Sequence, residues 1–320
     1  MNAGYGGFET PWALATLDTG DGPVAALETP QGLFGLRPSL VRAGFHHVDT
    51  VQELFDDWPA ARAALDAAAA QVSDEDGIRG SVRLAPLLAP GKILCAGANY
   101  HAHLEEMGVT AEQKASHRLF FFMKPVATAL VGPGPTVRMP LDCKAFDWEV
   151  ELAAVIGRKV RAVDARDALS CIAGYTLAID FTARDLTRVP GAFFTHDWVA
   201  GKAHDTSCPI GPRMVPAGAV GDPQNVPLKL TVNGVVKQDD TTADMIDTIA
   251  EQVARASRIM TLNPGDILLT GTPAGVGAPR KDFLNPGDVV EVSSPLVGSF
   301  CVSILDPVPA APIPAELTRV

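Results

Sequence analysis

Asp147-Trp148-Glu149-Val150-Glu151-Leu152-Ala153-Ala154-Val155-Ile156-Gly157 sets two acidic side chains two residues apart in front of an unbroken apolar run. Side chains alternate across a strand, so Glu149 and Glu151 share one face of a strand that is otherwise apolar on both faces. The two carboxylates are then adjacent and at least partly buried. Their Cα atoms would stand ~6.8 Å apart, and two charges at roughly that separation repel by about 2 kcal/mol at an effective dielectric of ~20. The plainer reading is a solvated strand end with two ordinary glutamates; the apolar Leu152–Ile156 run favours a cation between them.

Working outward, a second apolar strand, Gly174–Ile179, ends at Asp180 and is followed at once by Phe181-Thr182-Ala183-Arg184. An aspartate at a strand end is commonly a turn residue. Together with Glu149 and Glu151, however, Asp180 would complete an all-oxygen triad, the donor set of Mg²⁺, Mn²⁺ or Ca²⁺ rather than zinc or copper. Upstream, Asn99-Tyr100-His101-Ala102-His103-Leu104-Glu105-Glu106 follows the apolar strand Lys92–Gly97. On a helix, His103 and Glu106 lie on one face within hydrogen-bonding reach, which orients an imidazole as a general base. Taken alone, that spacing is better explained by two surface residues, since such pairs arise by chance. Gly271-Thr272-Pro273-Ala274-Gly275-Val276-Gly277 lacks the Lys-Ser/Thr ending of a P-loop and opens no helix, so it reads as a pocket loop whose backbone and Thr272 can hold an oxyanion. Lys124 and Lys202 sit in apolar surroundings, where snorkelling stems are the ordinary explanation.

The frame around these segments is that of a large globular chain. Of 320 residues, 47% are hydrophobic and 20% charged, enough for a sizeable core. A net charge of −11 works against binding a nucleic-acid backbone. No stretch approaches the ~20 apolar residues of a membrane span, and residues 1–12 lack the basic-apolar-small pattern of a secretion signal, so the expectation is a cytoplasmic protein. Five scattered cysteines without CxxC spacing argue for reduced core thiols and against a disulfide framework or a zinc site.

In the first 88 residues, short apolar runs between glycine turns predict a small antiparallel sheet. A helix follows, with a capping box at Thr50 and Glu53, an interruption at Pro59 and a resumption through Arg62–Val72. Two prolines near residue 88 mark a boundary, giving domains 1–88 and 89–320. In the second, Asn233-Gly234 suits a two-residue hairpin, and residues 243–260 predict a helix with Met245, Ile249, Val253 and Ala256 on one face. Asn263-Pro264-Gly265-Asp266 and Asn285-Pro286-Gly287-Asp288 are two copies of one turn. The absence of regular βαβ alternation argues against a doubly wound or TIM-barrel fold.

Read in order, ANYHAHLEEMG, FFMKP, DWEVELAAVIG, GYTLAIDFTARDL, KAHDTSCPIGP, VNGVVKQDDTTADMI and LNPGDILLTGTPAGVG resemble the fumarylacetoacetate hydrolase superfamily over roughly residues 90 to 305. The resemblance implies an α+β, mostly β fold, a mixed β roll with a small N-terminal α/β appendage, assembled as a homodimer. It implies Mg²⁺ or Mn²⁺ on Glu149, Glu151 and Asp180, and a water-activating dyad of His103 and Glu106 on a lid. It further implies an active-site Lys202, Arg184 after the metal aspartate, and a substrate side made by Tyr100, Lys124, Gly271 and Thr272. The sequence departs from the family at Ile179, where asparagine is usual, and at Thr187, where glutamine is frequent.

The activity implied is hydrolysis of a carbon–carbon bond in an acylpyruvate or related 2,4-dioxo acid. Oxaloacetate decarboxylation, or isomerisation or hydration of unsaturated 2-oxo acids, are alternatives on the same site. A silent binding protein on this fold is the alternative of another class, and would be favoured had any of the five metal or dyad residues been missing. The partner is a small 2-oxo or 2,4-dioxo carboxylic acid.

Overall fold

The computed structural model describes residues 10–45, 48–191 and 193–308; residues 1–9, at the start of the segment read for a secretion signal, lie outside them. The strand Val150–Ile156 is buried along its whole length. It pairs antiparallel with Ile172–Ile179 on one side and with Ile267–Leu269 on the other. From there an eleven-stranded mixed sheet extends in both directions. One arm runs through Ile93–Gly97, parallel to Ile267–Leu269, and ends on Phe120–Lys124. The other runs through Cys208–Pro216 to the N-terminal strands Ala13–Asp18, Pro23–Thr29 and Gly32–Gly35. A second, five-stranded sheet comprises Val235–Thr241, Pro227–Val232, Val289–Ser294, Gly298–Leu305 and Gly134–Arg138. The main core includes Trp148, Leu152, Leu177, Leu230, Val253 and Val292. The chain is therefore mostly β with mixed sheets.

Local chemistry explains the elements that flank the site. The Asn233-Gly234 turn has positive φ at both positions, 51° and 77°, as a tight hairpin between right-twisted strands requires. The two Asn-Pro-Gly-Asp turns are built alike, with the Asp266 and Asp288 carboxylates accepting from the Asn263 and Asn285 amides at 2.6 and 2.7 Å. The helix read over residues 243–260 occupies Ile249–Ile259 and starts at Thr248, which forms a capping box with Glu251. Met245 precedes that helix, in bridge contact with Tyr100, because residues 242–244 form a separate 3₁₀ turn.

The N-terminal reading needs two corrections. Thr50 and Glu53 do form reciprocal cap bonds, but they cap the 3₁₀ turn Gln52–Asp57. Pro59 then stands in the first turn of the helix Trp58–Ala69, where its missing N–H has no partner to lose, so it begins that helix and does not interrupt it. Four cysteines are buried as expected, while Cys301 is exposed, on the face of Gly298–Leu305 opposite the buried Phe300 and Val302.

Candidate active site

The antiparallel ladder between Val150–Ile156 and Ile172–Ile179 assembles the carboxylates. Its register sets Val150 opposite Ile179, so the next residues outward, Glu149 and Asp180, meet, and the Asp180 amide donates to the Glu149 carbonyl at 2.9 Å. The strand Ile267–Leu269 on the other flank brings Gly271 to Glu151, whose Oε2 accepts the Gly271 amide at 2.5 Å. Glu149, Glu151 and Asp180 are all buried, and each offers an oxygen within 4.8 Å of the others.

Three cations hold two of these carboxylates. Lys202 Nζ donates to Glu149 Oε2 at 2.9 Å and to Asp180 Oδ2 at 2.7 Å. Arg184 donates to Glu149 Oε1 at 2.7 Å and through Nε to Asp147 at 2.8 Å. Lys124 lies 2.9 Å from Asp180 Oδ1 and donates to the Phe181, Lys202 and Ser207 carbonyls. Burial opposes ionisation of Glu149, yet the Lys202 and Arg184 charges outweigh it and hold its carboxyl at about 2. Glu151 goes the other way: burial, then the charges of Asp180 and Glu149, push its carboxyl well above the usual carboxylate range.

That asymmetry is the test of a metal. Asp147, Glu149, Glu151 and Asp180 carry four carboxylates against three cations, and among the described residues Glu151 has no ion-pair partner. An all-oxygen, charge-deficient cluster of this kind fits a hard divalent cation.

Across a cavity of about 370 Å³ stands His103, on the short helix His101–Glu106. Its Nδ1 donates to Glu106 Oε1 at 2.9 Å, which fixes the tautomer and leaves Nε2 as the basic nitrogen. Glu106 is in turn anchored by the amides of Gly275 and Val276, at 2.9 and 3.3 Å. The glycine loop therefore does bind an oxyanion, and that oxyanion is the chain's own Glu106. Burial raises the Glu106 carboxyl, but the His103 bond and these amides win and lower it. Gly275 has φ +115°, and a side chain there would collide with the Lys237 carbonyl, so only glycine lets the loop close on Glu106.

His103, Glu149, Arg184, Lys202 and Thr272 all line the cavity. Three residues expected on the substrate side do not. Lys124 sits behind Asp180, where its ammonium needs four oxygen partners to be buried. Gly271 faces Glu151, and Tyr100 is fully buried beneath the helix that starts at His101. Thr272 is at the wall, but its hydroxyl already donates to the Val150 carbonyl and accepts from Gln238. Of the departures, Thr187 is not on the cavity wall: it packs on Gly201, where no side chain would fit, and so seats the helix Trp198–Lys202. Ile179 is buried in the main core.

Sequence reasoning missed Asp147, which holds Arg184 and accepts the Gly277 and Ala278 amides, although it opens the decisive segment. It also missed Gln238 and the aromatic residues Phe120, Phe122, His196 and Trp198 of the cavity wall. The clustering of aromatics in residues 120–122 and 193–198 was the available signal.

Fold and site together define a protein with a buried three-carboxylate centre set against a histidine–glutamate pair across one cavity. The chain belongs to the fumarylacetoacetate hydrolase family of enzymes: the family model described as fumarylacetoacetate (FAA) hydrolase C-terminal matches residues 92–304. It is 42% identical over 211 residues to the mitochondrial oxaloacetate tautomerase FAHD2B of Homo sapiens, covering 65% of this chain and 64% of that protein. The chain thus matches somewhat less than two thirds of that relative's length. Among solved structures it resembles maleylpyruvate hydrolase from Sphingobium sp. SYK-6, with TM-score 0.72, 29% identity and coverage of 92% of this chain and 99% of that one. It also resembles fumarylpyruvate hydrolase from Pseudomonas aeruginosa in complex with Mn²⁺ and pyruvate, with TM-score 0.61, 31% identity and coverage of 72% and 93%. Among the described residues, no helix is long and apolar enough to cross a membrane.

Proposed function

We propose that the chain hydrolyses a carbon–carbon bond in an acylpyruvate or related 2,4-dioxo acid, with Mg²⁺ or Mn²⁺ on Glu149, Glu151 and Asp180. The observation that carries this reading is a histidine with one nitrogen occupied by Glu106 and the other left basic, lining the same cavity as the carboxylate cluster. A bound divalent cation would supply Lewis-acid polarisation of the 2-oxo carboxylate. His103 Nε2 takes a proton from water as its oxygen adds to the distal carbonyl carbon. The bond between that carbon and C3 then breaks, its electron pair goes to C3 of the pyruvate fragment, and a proton returns there. Lys202 and Arg184 offset negative charge as it develops, and Glu106 steadies the imidazolium.

A second reading, keto–enol tautomerisation of oxaloacetate, is favoured by the oxaloacetate tautomerases at 38–42% identity. It uses the same base on a carbon-bound proton and no water. The chain is further proposed to act as a homodimer, and light scattering at micromolar concentration giving only the 33.6 kDa monomer would count against that.

The test is turnover of 2,4-dioxopentanoate and of oxaloacetate by the Mn²⁺-loaded chain and by His103→Ala. Cleavage by the wild type, reduced about 10²-fold or more in the variant with Mn²⁺ affinity retained, is the expected result. Tautomerisation without cleavage would replace the hydrolytic reading by the second one.

A further inference from the structure

Beyond the carboxylates the cavity is walled by rings. Trp198 stacks on Phe122 at a centroid distance of 5.5 Å and an interplanar angle of 12°, and His196 stacks on Trp198 at 5.8 Å and 12°. Phe120 leans on Trp198 at 4.9 Å. Leu104, Met107 and Val109 complete that side. The shelf is built into the fold: a side chain at Gly97 would collide with the Phe120 ring, so the strand Ile93–Gly97 ends in the residue that lets the ring lie flat. Trp198 and Lys202 are four residues apart on one short helix, so the shelf and the ammonium on Glu149 and Asp180 are carried by one rigid element.

Charge separates the possible substrates. The two full-time cations of the cavity wall, Lys202 and Arg184, each already serve two carboxylates. A substrate with a second carboxylate at its far end would set that charge against partly exposed aromatic faces, whose negative quadrupole repels it. An aryl or other flat apolar group would stack there and displace water from apolar surface.

Resting on the hydrolytic reading above, we infer that Trp198, with Phe120 and Phe122, is the acyl-group subsite and selects a planar, uncharged acyl group over one ending in a carboxylate. Trp198 is the specificity-determining residue.

Calorimetric titration of the Mn²⁺-loaded full chain with phenylpyruvate and with 2-oxoglutarate tests the subsite without turnover. Phenylpyruvate is expected to bind about tenfold or more tightly, the scale of discrimination that an apolar pocket supplies. Trp198→Ala should bring the two affinities close together, and Trp198→Phe should keep most of the preference. Equal or reversed affinities in the wild type, or a preference untouched by Trp198→Ala, would overturn the inference. Turnover of 2,4-dioxo-4-phenylbutanoate against fumarylpyruvate forms the second arm, with the aryl substrate expected to show the higher kcat/KM. Cleavage of neither, with the binding preference intact, would sink the hydrolytic reading and sustain the subsite.

Discussion

Two buried ionic clusters in this molecule are built to opposite ends. At the seam between the N-terminal hairpin and the strand Cys208–Pro216, the Glu28 carboxylate accepts from Arg213 at 2.8 Å and lies 2.9 Å from Arg83. Those arginines also reach backbone carbonyls, of Val297 and of Pro212. There, among the described residues, the Glu28 carboxylate is shared by two arginine side chains. Beside the cavity, the four carboxylates of Asp147, Glu149, Glu151 and Asp180 share three protein cations, and among the described residues Glu151 is held by a backbone amide alone. Both clusters bear the cost of desolvation, but only the second brings three carboxylate oxygens within 4.8 Å of one another, as a shared cation would need. Burial of charge therefore does not by itself mark a site; a deficit of opposite charge does.

The comparison is broken most severely by removing the metal. Treatment with EDTA is expected to abolish turnover, and added Mn²⁺ or Mg²⁺ to restore it; activity that survives thorough chelation removes the distinction between the clusters. Excess Mn²⁺ should also raise the unfolding free energy, by about 2.7 kcal/mol at a hundred times its Kd. Glu151→Gln should largely erase that gain while leaving the metal-free fold intact. The seam should respond in the opposite manner. Glu28→Gln removes a carboxylate that two buried arginines share, and urea titration should show a loss of about 3 kcal/mol with Mn²⁺ affinity retained. A parallel loss of Mn²⁺ affinity would mean that the two clusters are coupled through Cys208–Pro216.

The smallest effect concerns the helix His101–Glu106. Glu106 has its carboxyl lowered below the ordinary 4.5, its burial being outweighed by the His103 bond and the loop amides. A depressed carboxyl contributes stability that is present above the unfolded value and is lost as pH falls through the lowered, folded one. The protection of residues 101–107 from hydrogen exchange, taken relative to the intrinsic rate at each pH, should accordingly fall below about pH 4.5, and Glu106→Gln should flatten that dependence. An unchanged acid profile in the variant would remove Glu106 from the forces that hold this helix.

Much of the site is legible in the chain itself because its information is local. Strand alternation in residues 149–151 sets two carboxylates on one face, the three-residue spacing sets the His103–Glu106 pair, and turn chemistry sets the Asn233-Gly234 hairpin. Thr248 and Glu251 are the true start of the last helix, and apolar periodicity hides them because it runs on upstream to Met245, which is buried for a different reason. Periodicity reports burial and does not say which element supplies it.

What the sequence by itself determined, then, was the cluster of three carboxylates, the His103–Glu106 pair and the mostly β class. Only the tertiary structure decided which cation meets which carboxylate. Lys124 and Lys202 look alike in sequence, each a lysine in apolar surroundings, yet one is sealed behind Asp180 by three backbone carbonyls and the other stands in the cavity wall. Asp147 and Arg184 are 37 residues apart, Glu28 and Arg213 are 185, and Phe122 and Trp198 meet across two elements. Those meetings depend on strand order and register, fixed by burying apolar faces over the whole chain, and no window of sequence carries that information.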